Sequence, residues 1–307
     1  MTSEWGGQGL PPAAAARMAE VQKSGTWGSA LSTGEFAAIR SVGFEPVGQV
    51  MGSAVFNIGR SGRYWGYHDC TYRGGVFSGG DAPVALSGRG GPSAPLVQVL
   101  LEARHRALER MRAEVLALGG AGVVAAQLTV APFAASPQAL EFQVIGTAVR
   151  ASVGAAPVRR PFTSHVGGQA FAKLVGAGWI PVDLLFGLSI GVRHDNWATR
   201  SQNRAFASNQ EVEGWTRLVN EVRHDARQQL YQQASATGGD GVVLDDFDLR
   251  VWEEACFRNR MTNNESDKHD RIAEASMVGT AIAAFRTSAA PRSTLSIMPL
   301  KLKSQTR

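Results

Sequence analysis

Two arginines fall within the apolar stripes of two predicted helices, where a charge needs a partner. Arg104 lies about 40° from Leu100 on a helical wheel of 100° per residue. Arg223 has the same relation to Val219. Burial of a guanidinium is costly unless an anion or hydrogen-bond acceptors face it. The pattern therefore predicts that both arginines are paired within the core, across an interface or with an anionic ligand, and structural pairing is favoured because guanidinium groups suit protein ion pairs.

The same two helices each carry a glutamate and a histidine three residues apart. These pairs are Glu102 with His105 and Glu221 with His224. Residues at this spacing project near one another, so each pair could respond to pH or supply two metal ligands. One histidine beside one carboxylate is too few ligands for a structural metal site. A solvated helix face with a weak ion pair is therefore the favoured interpretation.

A loop rich in aromatic residues, from 60 to 95, contains the one close combination of histidine and cysteine, His68 with Cys70. Imidazole and thiolate bind soft metal ions, but typical sites need three or four ligands. The matching loop later in the chain lacks a thiol. We therefore expect no cofactor, with a metal ion bound by His68, Cys70 and His105 or His224 as the alternative.

Motifs typical of enzymes do not occur in the sequence. It contains no G-x-S-x-G nucleophile turn, no H-E-x-x-H zinc motif and no G-x-x-x-x-G-K-[ST] phosphate loop. The glycines at positions 88, 90 and 91 neither follow a predicted strand nor open a helix in the dinucleotide-binding pattern. The sequence therefore predicts a protein that is not an enzyme.

Composition sets the broad class of the protein. A chain of 307 residues exceeds the size at which one core stops growing, so two domains of about 100 to 150 residues are predicted. Hydrophobic residues make up 44% and charged residues 19%, which favours packed cores over disorder. The net charge of +5 comes from scattered cations without a basic stripe, which argues against nucleic-acid binding.

The cysteine count and the apolar runs indicate where the protein works. Cys70 and Cys256 are the only cysteines, so a disulfide framework is excluded and a reducing, cytoplasmic setting is expected. The N-terminus lacks the apolar run of a signal peptide. No stretch reaches the roughly 18 apolar residues of a spanning helix, so we expect no membrane span.

The sequence contains an internal repeat, in which residues 34 to 149 and residues 169 to 284 follow one pattern. The arginines and the glutamate and histidine pairs lie at matching places in it. Three blocks return in the same order, at offsets of 135, 119 and 133 positions. The blocks are Gly43-Phe44 with Gly178-Trp179, the run from Arg104 to Gly120 with that from Arg223 to Gly239, and Gly146-Thr147-Ala148 with Gly279-Thr280-Ala281. Constant order with variable spacers predicts two copies of one fold.

Each copy is predicted to contain a short helix followed by β, α, β and β elements. The main helix of copy one runs from about Pro95 to Leu118 and ends at a pair of glycines. The predicted boundaries are a flexible leader at 1–30, repeat 1 at 31–150, a linker at 151–163, repeat 2 at 164–286 and a basic, flexible tail at 287–307. Three strands and one helix cover only one face of a sheet, so a homo-oligomer is expected.

The repeated blocks resemble the YbjQ family, also described as heavy-metal-binding proteins, in its tandem form. The resemblance rests on residues 43 to 52, on the segment from Ala103 to Val124 and on Gly146 to Val149, together with their counterparts in copy two. It implies an α+β fold of two tandem dodecin-like β-α-β-β subunits, each preceded by a short helix, that assemble into a ring.

The resemblance and the missing catalytic motifs together predict a non-enzymatic, ring-forming binding or scaffold protein with an unidentified ligand. Arg104 and Arg223 match positions of the family, and with Glu102 and Glu221 they are the predicted ligand or interface residues. The alternative is a heavy-metal-binding protein of stress response, which follows from the family description.

Overall fold

The computed structural model describes residues 10–59, 83–152, 158–254 and 270–285, which form six helices and eight strands. The first elements are α1 Pro12–Ser24, α2 Thr33–Ser41, β1 Phe44–Asn57, β2 Ala85–Leu86, α3 Ala94–Ala117, β3 Gly122–Pro132 and β4 Ala139–Ala151. They are followed by β5 Phe162–Thr163, α4 Gly168–Gly176, β6 Trp179–His194, α5 Trp197–Gln202, α6 Glu213–Ala236, β7 Gly241–Glu254 and β8 Asp270–Ala284. We call residues 27–152 the first half and residues 158–285 the second half.

The strands form two four-stranded sheets. Sheet 1 has the order β1-β4-β3-β5, and sheet 2 has the order β2-β6-β8-β7. The three long strands of each sheet are antiparallel, whereas β5 runs parallel to β3. In each half a 24-residue helix, α3 or α6, lies between the first and second long strands in sequence. The predicted α+β class is confirmed.

The helices and sheets stack in four layers, in the order sheet 1, α3, sheet 2 and α6. Successive side chains of a strand point to opposite faces of its sheet. Leu184, Phe186 and Leu188 of β6 share one apolar cluster with α3 and sheet 1. Leu185 instead belongs to a second cluster, which contains Val222 and the other buried residues of α6. Sheet 2 is therefore covered on both faces, by α3 and by α6.

Each long helix approaches its own sheet at a glycine of the first strand. A Cβ atom on Gly52 of β1 would lie 1.9 Å from the carbonyl oxygen of Ala107. A Cβ atom on Gly187 of β6 would lie 2.3 Å from the carbonyl oxygen of Ala226. Only glycine permits this approach, so the two helices cross their sheets at matching points.

The free edges of β1 and β6 are satisfied by side chains of the same helices. The amide of Met51 donates to Glu114 Oε2 at 2.8 Å. In the second half, Gln233 Nε2 donates to the carbonyl oxygen of Phe186 at 2.8 Å and its Oε1 accepts from the amide of the same residue at 3.4 Å. These contacts blunt edge strands that would otherwise expose unpaired backbone groups.

The segments that precede the two short helices α2 and α4 make matching contacts. Aromatic rings stack at 6.1 Å between Trp27 and Phe36 and at 5.8 Å between Phe162 and Phe171. Hydroxyl groups lie 3.1 Å apart in Ser29 and Thr147 and 3.3 Å apart in Ser164 and Thr280. In each half, the segment before the short helix therefore packs against that helix and against the last long strand.

The prediction of a flexible leader through residue 30 is wrong for residues 12 to 24, which form α1. Its alanine run has a high helix propensity, and Pro12 stands at the first helical position, where its fixed φ suits the helix. Arg17 forms an ion pair with Glu114 of α3, and Gln22 Nε2 donates to the carbonyl oxygen of Ala117 at 3.4 Å. The leader is thus attached to the first half.

The predicted linker, residues 151–163, also contains a short strand that its prolines and arginines did not suggest. Phe162 and Thr163 form β5, which pairs with Gly122 and Val123 of β3. The unpaired backbone groups of β3 supply the reason, because an extended segment beside them gains hydrogen bonds.

Several predictions fall on residues that the structure does not describe. They include most of the aromatic loop, since description resumes at residue 83, and the basic tail 287–307. Within the described ranges, no helix has the length and apolar character needed to cross a membrane.

Candidate functional site between the two sheets

Arg104 lies in the interface between α3 and sheet 2. Its side chain is buried, and its Nη1 has no hydrogen-bond partner among the described residues. Burial lowers the pKa of Arg104 to about 10, while the nearby carboxylate of Glu274 on β8 opposes this shift. The Glu274 carboxylate of the other half thus acts on the Arg104 guanidinium electrostatically, and its attraction partly offsets the cost of burying this charge.

Glu274 is the acidic centre of this interface. Burial raises the pKa of Glu274, Arg250 and Arg104 lower it, and Asp248 raises it further. Arg250 also contacts Asp248, with 2.9 Å between Nε and Oδ2. The Arg250 and Asp248 pair is exposed, so of the two arginines that act on Glu274 only Arg104, on α3, is buried.

Arg223 occupies a different environment on α6. It is half-buried, and its guanidinium carbon lies 5.1 Å from the ring centroid of Phe247 on β7. This is within the range of a cation–π interaction. Its Nε is buried without a hydrogen-bond partner in the described part of the chain. The two arginines thus lie in different surroundings: the Glu274 carboxylate of the other half acts on Arg104 electrostatically, and Arg223 stacks on an aromatic ring of its own half. Their role as ligand or interface residues stays a prediction.

The predicted glutamate and histidine pairs do not converge on a site. Glu102 accepts a hydrogen bond from Arg106 at 2.8 Å, and the His105 ring lies 6.0 Å from the ring of Phe186. On α6, Glu221 is half-buried and His224 is exposed. In the ranges that the structure covers, no three histidine, cysteine, aspartate or glutamate residues are grouped for a metal ion. His68 and Cys70 lie outside these ranges, so their metal site stays a prediction.

A second charged cluster joins the halves near the start of β6. Asp183 is paired with Arg112 of α3, and Arg160 Nη2 lies 2.6 Å from its Oδ2. The Thr163 hydroxyl donates to Asp183 Oδ1 at 2.8 Å and accepts from the amide of Leu184 at 3.0 Å. Burial lowers the pKa of Arg112, and the Asp183 carboxylate opposes that shift. Sequence reasoning missed this cluster, although an aspartate inside an apolar strand was a usable signal.

A third polar cluster surrounds Asp195, just after β6. Its Oδ1 accepts from Trp215 Nε1 at 3.1 Å and from Arg193 Nη1 at 3.4 Å, and its Oδ2 accepts from Arg271 Nε at 2.9 Å. The Arg271 guanidinium also lies 4.4 Å from the Trp215 ring centroid. The three donors thus bind the same buried carboxylate, and together these contacts hold the end of sheet 2 in place.

A polar cavity of about 280 Å³ opens beside this third cluster. Its lining includes Arg193, Asn196, Thr199, Glu213 and Arg217. A cavity with polar walls of this size can hold ordered water or a small polar molecule. The run of polar residues from Arg193 to Asn196, directly after a buried strand, was the signal in the sequence.

A smaller cavity of about 130 Å³ lies between α1 and β1, with Met18, Val21, Trp27, Met51 and Ile145 among its walls.

The loop before α4 holds His165, whose Nδ1 lies 2.8 Å from the Thr280 hydroxyl. Burial lowers the pKa of His165, and Asp245 of β7 opposes this shift.

The charged residues of the described chain are thus arranged mainly in mutually compensating groups at the contacts between layers. Such groups orient surfaces and specify how elements pack.

Comparison with known proteins gives two matches. The sequence model of the YbjQ family, described as "Putative heavy-metal-binding", matches residues 86–152, which include α3, β3 and β4. The chain is also 31% identical over 241 residues to the encapsulin nanocompartment protein Rv1762c of Mycobacterium tuberculosis. That alignment covers 76% of this chain and 81% of the relative.

Proposed function

The chain belongs to the YbjQ family and is a relative of an encapsulin nanocompartment protein, and on this basis we propose a non-enzymatic, self-assembling binding protein that works with an encapsulin nanocompartment in the cytoplasm. Self-assembly is proposed because long helices cover both faces of sheet 2 but only one face of sheet 1 in the described residues. The nanocompartment part comes from the relative's name.

Sheet 2 lies between α3 and α6, whereas the outer face of sheet 1 lacks a long helix within the described residues. On that face Ser53 and Gln143 are half-buried and Val55 is 46% exposed. A sheet covered on one face is completed by a neighbour. Another chain can provide this covering.

The two halves are further proposed to be tandem copies of one dodecin-like β-α-β-β module. The same order of the three long strands, the close approaches at Gly52 and Gly187 and the matched aromatic stacks support this origin. Copies that associate head to tail close into a ring when the rotation between them permits, so a ring is the proposed assembly.

Self-assembly is tested by native mass spectrometry and light scattering of the purified full chain at micromolar concentration. We expect a defined oligomer that dissociates on dilution. A single-chain mass that persists from micromolar to high micromolar concentration would reject self-assembly.

The association with a nanocompartment is tested by co-expressing the chain with the encapsulin shell protein of its own host. We expect the chain to co-sediment with purified shells and to resist protease until the shells are opened. A matched co-expression with an unrelated protein of similar size controls for trapping. Recovery of the chain only outside the shells would reject the association.

The second candidate function is heavy-metal binding, which the description of the matching family favours. Elemental analysis of the purified protein, with a His68→Ala and Cys70→Ser double variant, tests it. A stoichiometric metal that is lost in this variant, but kept in a His105→Ala and His224→Ala control, would support the loop site. Protein without stoichiometric metal after loading with zinc or copper would reject it.

A further inference from the structure

We propose that α6 and the edge of β7 dock onto the outer face of sheet 1 in a second copy of this chain, with Arg223 opposite the partner copy's Glu141 position. This inference rests on the proposed self-assembly and identifies its surfaces. We call α6 with residues 241–245 the tail surface. We call the outer face of sheet 1 with residues 27–31 the head surface.

The junction between the two halves provides the template. There, α3 of the first half covers sheet 2 of the second half, and a segment of the second half extends the edge of sheet 1. The amides of Ala125 and Ala126 in β3 donate to the carbonyl oxygens of Val166 and Ser164, each at 2.9 Å. A helix, a sheet face and an added edge segment therefore define one heterologous junction.

Sheet register assigns the residues that take equivalent places in the second junction. The row Ile190, Glu274 and Arg250 crosses sheet 2, and the row Val55, Glu141 and Ala131 crosses sheet 1. Each glutamate lies on the strand between the two other long strands of its sheet. Glu141 therefore holds, on the open face, the position that Glu274 holds on the covered face.

The helices supply the complementary charge. Arg104 precedes Ala107 by three residues, and Arg223 precedes Ala226 by three residues, at the two points where the helices cross their glycines. Inside the chain, α3 packs on the face of sheet 2 that carries Glu274, and this carboxylate acts on Arg104 electrostatically. Arg223 holds the same position on α6, so docking of α6 on an open sheet 1 brings Arg223 to Glu141.

The strand edges match in the same way. β7 is the outermost strand of sheet 2 in the described part of the chain, and its Leu244 is 51% exposed. Leu244 corresponds to Ala125, whose amide is paired with the segment before α4. The segment before α2 carries Trp27, which is 37% exposed, and makes the same stacking and hydroxyl contacts within its own half. Residues 27–31 of one copy therefore fit the β7 edge of another.

The side chains of the two junctions differ in polarity. Leu188 and Leu108 are buried at the internal junction, while Ser53 and Arg227 hold the matching positions on the head and tail surfaces. A more polar junction gives less hydrophobic stabilisation and depends more on complementary charge. The junction between chains is thus expected to be reversible and weakened by salt.

Charge reversal tests the proposal in the full chain. Arg223→Glu and Glu141→Arg are each expected to raise the dissociation constant of assembly roughly tenfold or more, because like charges meet across the junction. The double variant restores the pair with opposite polarity and is expected to assemble again. Lys173→Glu, a reversal at an exposed position of α4 outside both surfaces, serves as the matched control and should leave assembly unchanged.

Mixing the two single variants gives the decisive measurement. Each favourable junction then joins one variant to the other, so assembly returns in the mixture and native mass spectrometry finds both variants in each particle. Unfolding curves confirm that each variant is folded. A wild-type chain that stays single rejects the proposed self-assembly itself. A wild-type oligomer that both reversals leave intact, or that neither the double variant nor the mixture restores, overturns this junction while self-assembly stands.

Discussion

The outer face of sheet 1 and the α3-facing side of sheet 2 share one backbone plan but present different side chains. Ile190 in sheet 2 is fully buried, whereas Val55 at the matching place in sheet 1 is 46% exposed. At another matching pair of positions, Leu184 of sheet 2 is buried and Gln49 of sheet 1 is exposed. The face that is covered within the chain is apolar, and the face left open is mixed. The difference shows that strand register alone does not determine burial, because the covering layer also contributes.

The charged residues extend the comparison. Asp183 joins Arg112 and Arg160 at the internal junction. Gly48 and Tyr231 hold the positions on the open surfaces that correspond to Asp183 and Arg112, and Tyr231 is 55% exposed. Among the described residues, the internal junction thus has a charged cluster with no counterpart at Gly48 and Tyr231, and such a difference would help to separate the two kinds of junction.

The largest effect is expected when this cluster is broken. Asp183→Ala leaves the buried Arg112 without its carboxylate, so we expect a loss of about 3–5 kcal/mol in the free energy of unfolding. Urea unfolding of the purified chain measures it. Glu45→Ala removes an exposed pair with Arg150 and should cost less than about 1 kcal/mol. Equal losses in both variants would mean that the internal junction does not depend on its charges.

The next effect comes from trimming matched positions of the two faces. Ile190→Ala opens a cavity in the covered face and should lower the free energy of unfolding by about 2–5 kcal/mol. Val55→Ala changes a partly solvated side chain, and at concentrations where the chain is single we expect a change below about 0.5 kcal/mol. Thermal and urea unfolding of both variants provide the comparison. A large loss for Val55→Ala in the isolated chain would show that sheet 1 is already covered.

A smaller effect is expected from exchanging the residues that satisfy the edges of β1 and β6. Gln233→Glu places a carboxylate oxygen against the carbonyl oxygen of Phe186, so we expect a loss of about 1–3 kcal/mol. Glu114→Gln keeps an acceptor for the amide of Met51, and its cost should stay below about 1 kcal/mol. Burial raises the pKa of Glu114, which the Met51 amide and Arg17 partly offset. The reverse order of costs in urea unfolding would contradict the matched roles of these side chains.

The smallest effect concerns His165, whose matching position in the first half is Ala30. Burial lowers the pKa of His165 from 6.5, so the neutral ring is favoured in the folded chain. Its contribution to stability is complete above pH 6.5 and is lost as the pH falls through the lowered pKa. Unfolding midpoints of the wild type and His165→Gln are compared from pH 8 to pH 5. Their difference should change with pH, and a constant difference would exclude this titration.

Local features of the fold could be predicted from the sequence. Gly43 and Gly178 were expected to end the short helices, and both have positive φ, at 81° and 89°. The main helix was expected from Pro95 to Leu118 and occupies Ala94–Ala117, because its apolar spacing and terminal glycines are local signals. The paired glycines and arginines also indicated that matching positions exist in the two halves.

Contacts between distant residues could not be predicted in the same way. A partner for Arg104 was expected, but Glu274 lies in a strand whose register depends on the whole sheet. The cavity beside Asp195 depends on α5 and the start of α6, which approach each other only in the folded chain. The strand at Phe162 forms because β3 offers a free edge, a condition that no local pattern records.

The peptide connection between the halves has a consequence for any particle built from this chain. In the proposed assembly, the contact between halves is covalently tethered and cannot be diluted away, while the contact between chains would form only at sufficient concentration. Such an assembly would therefore gain or lose one whole chain at a time, and each chain would bring one internal junction and one pair of head and tail surfaces. Ionic strength and concentration would then set the particle's lifetime without loosening its building blocks.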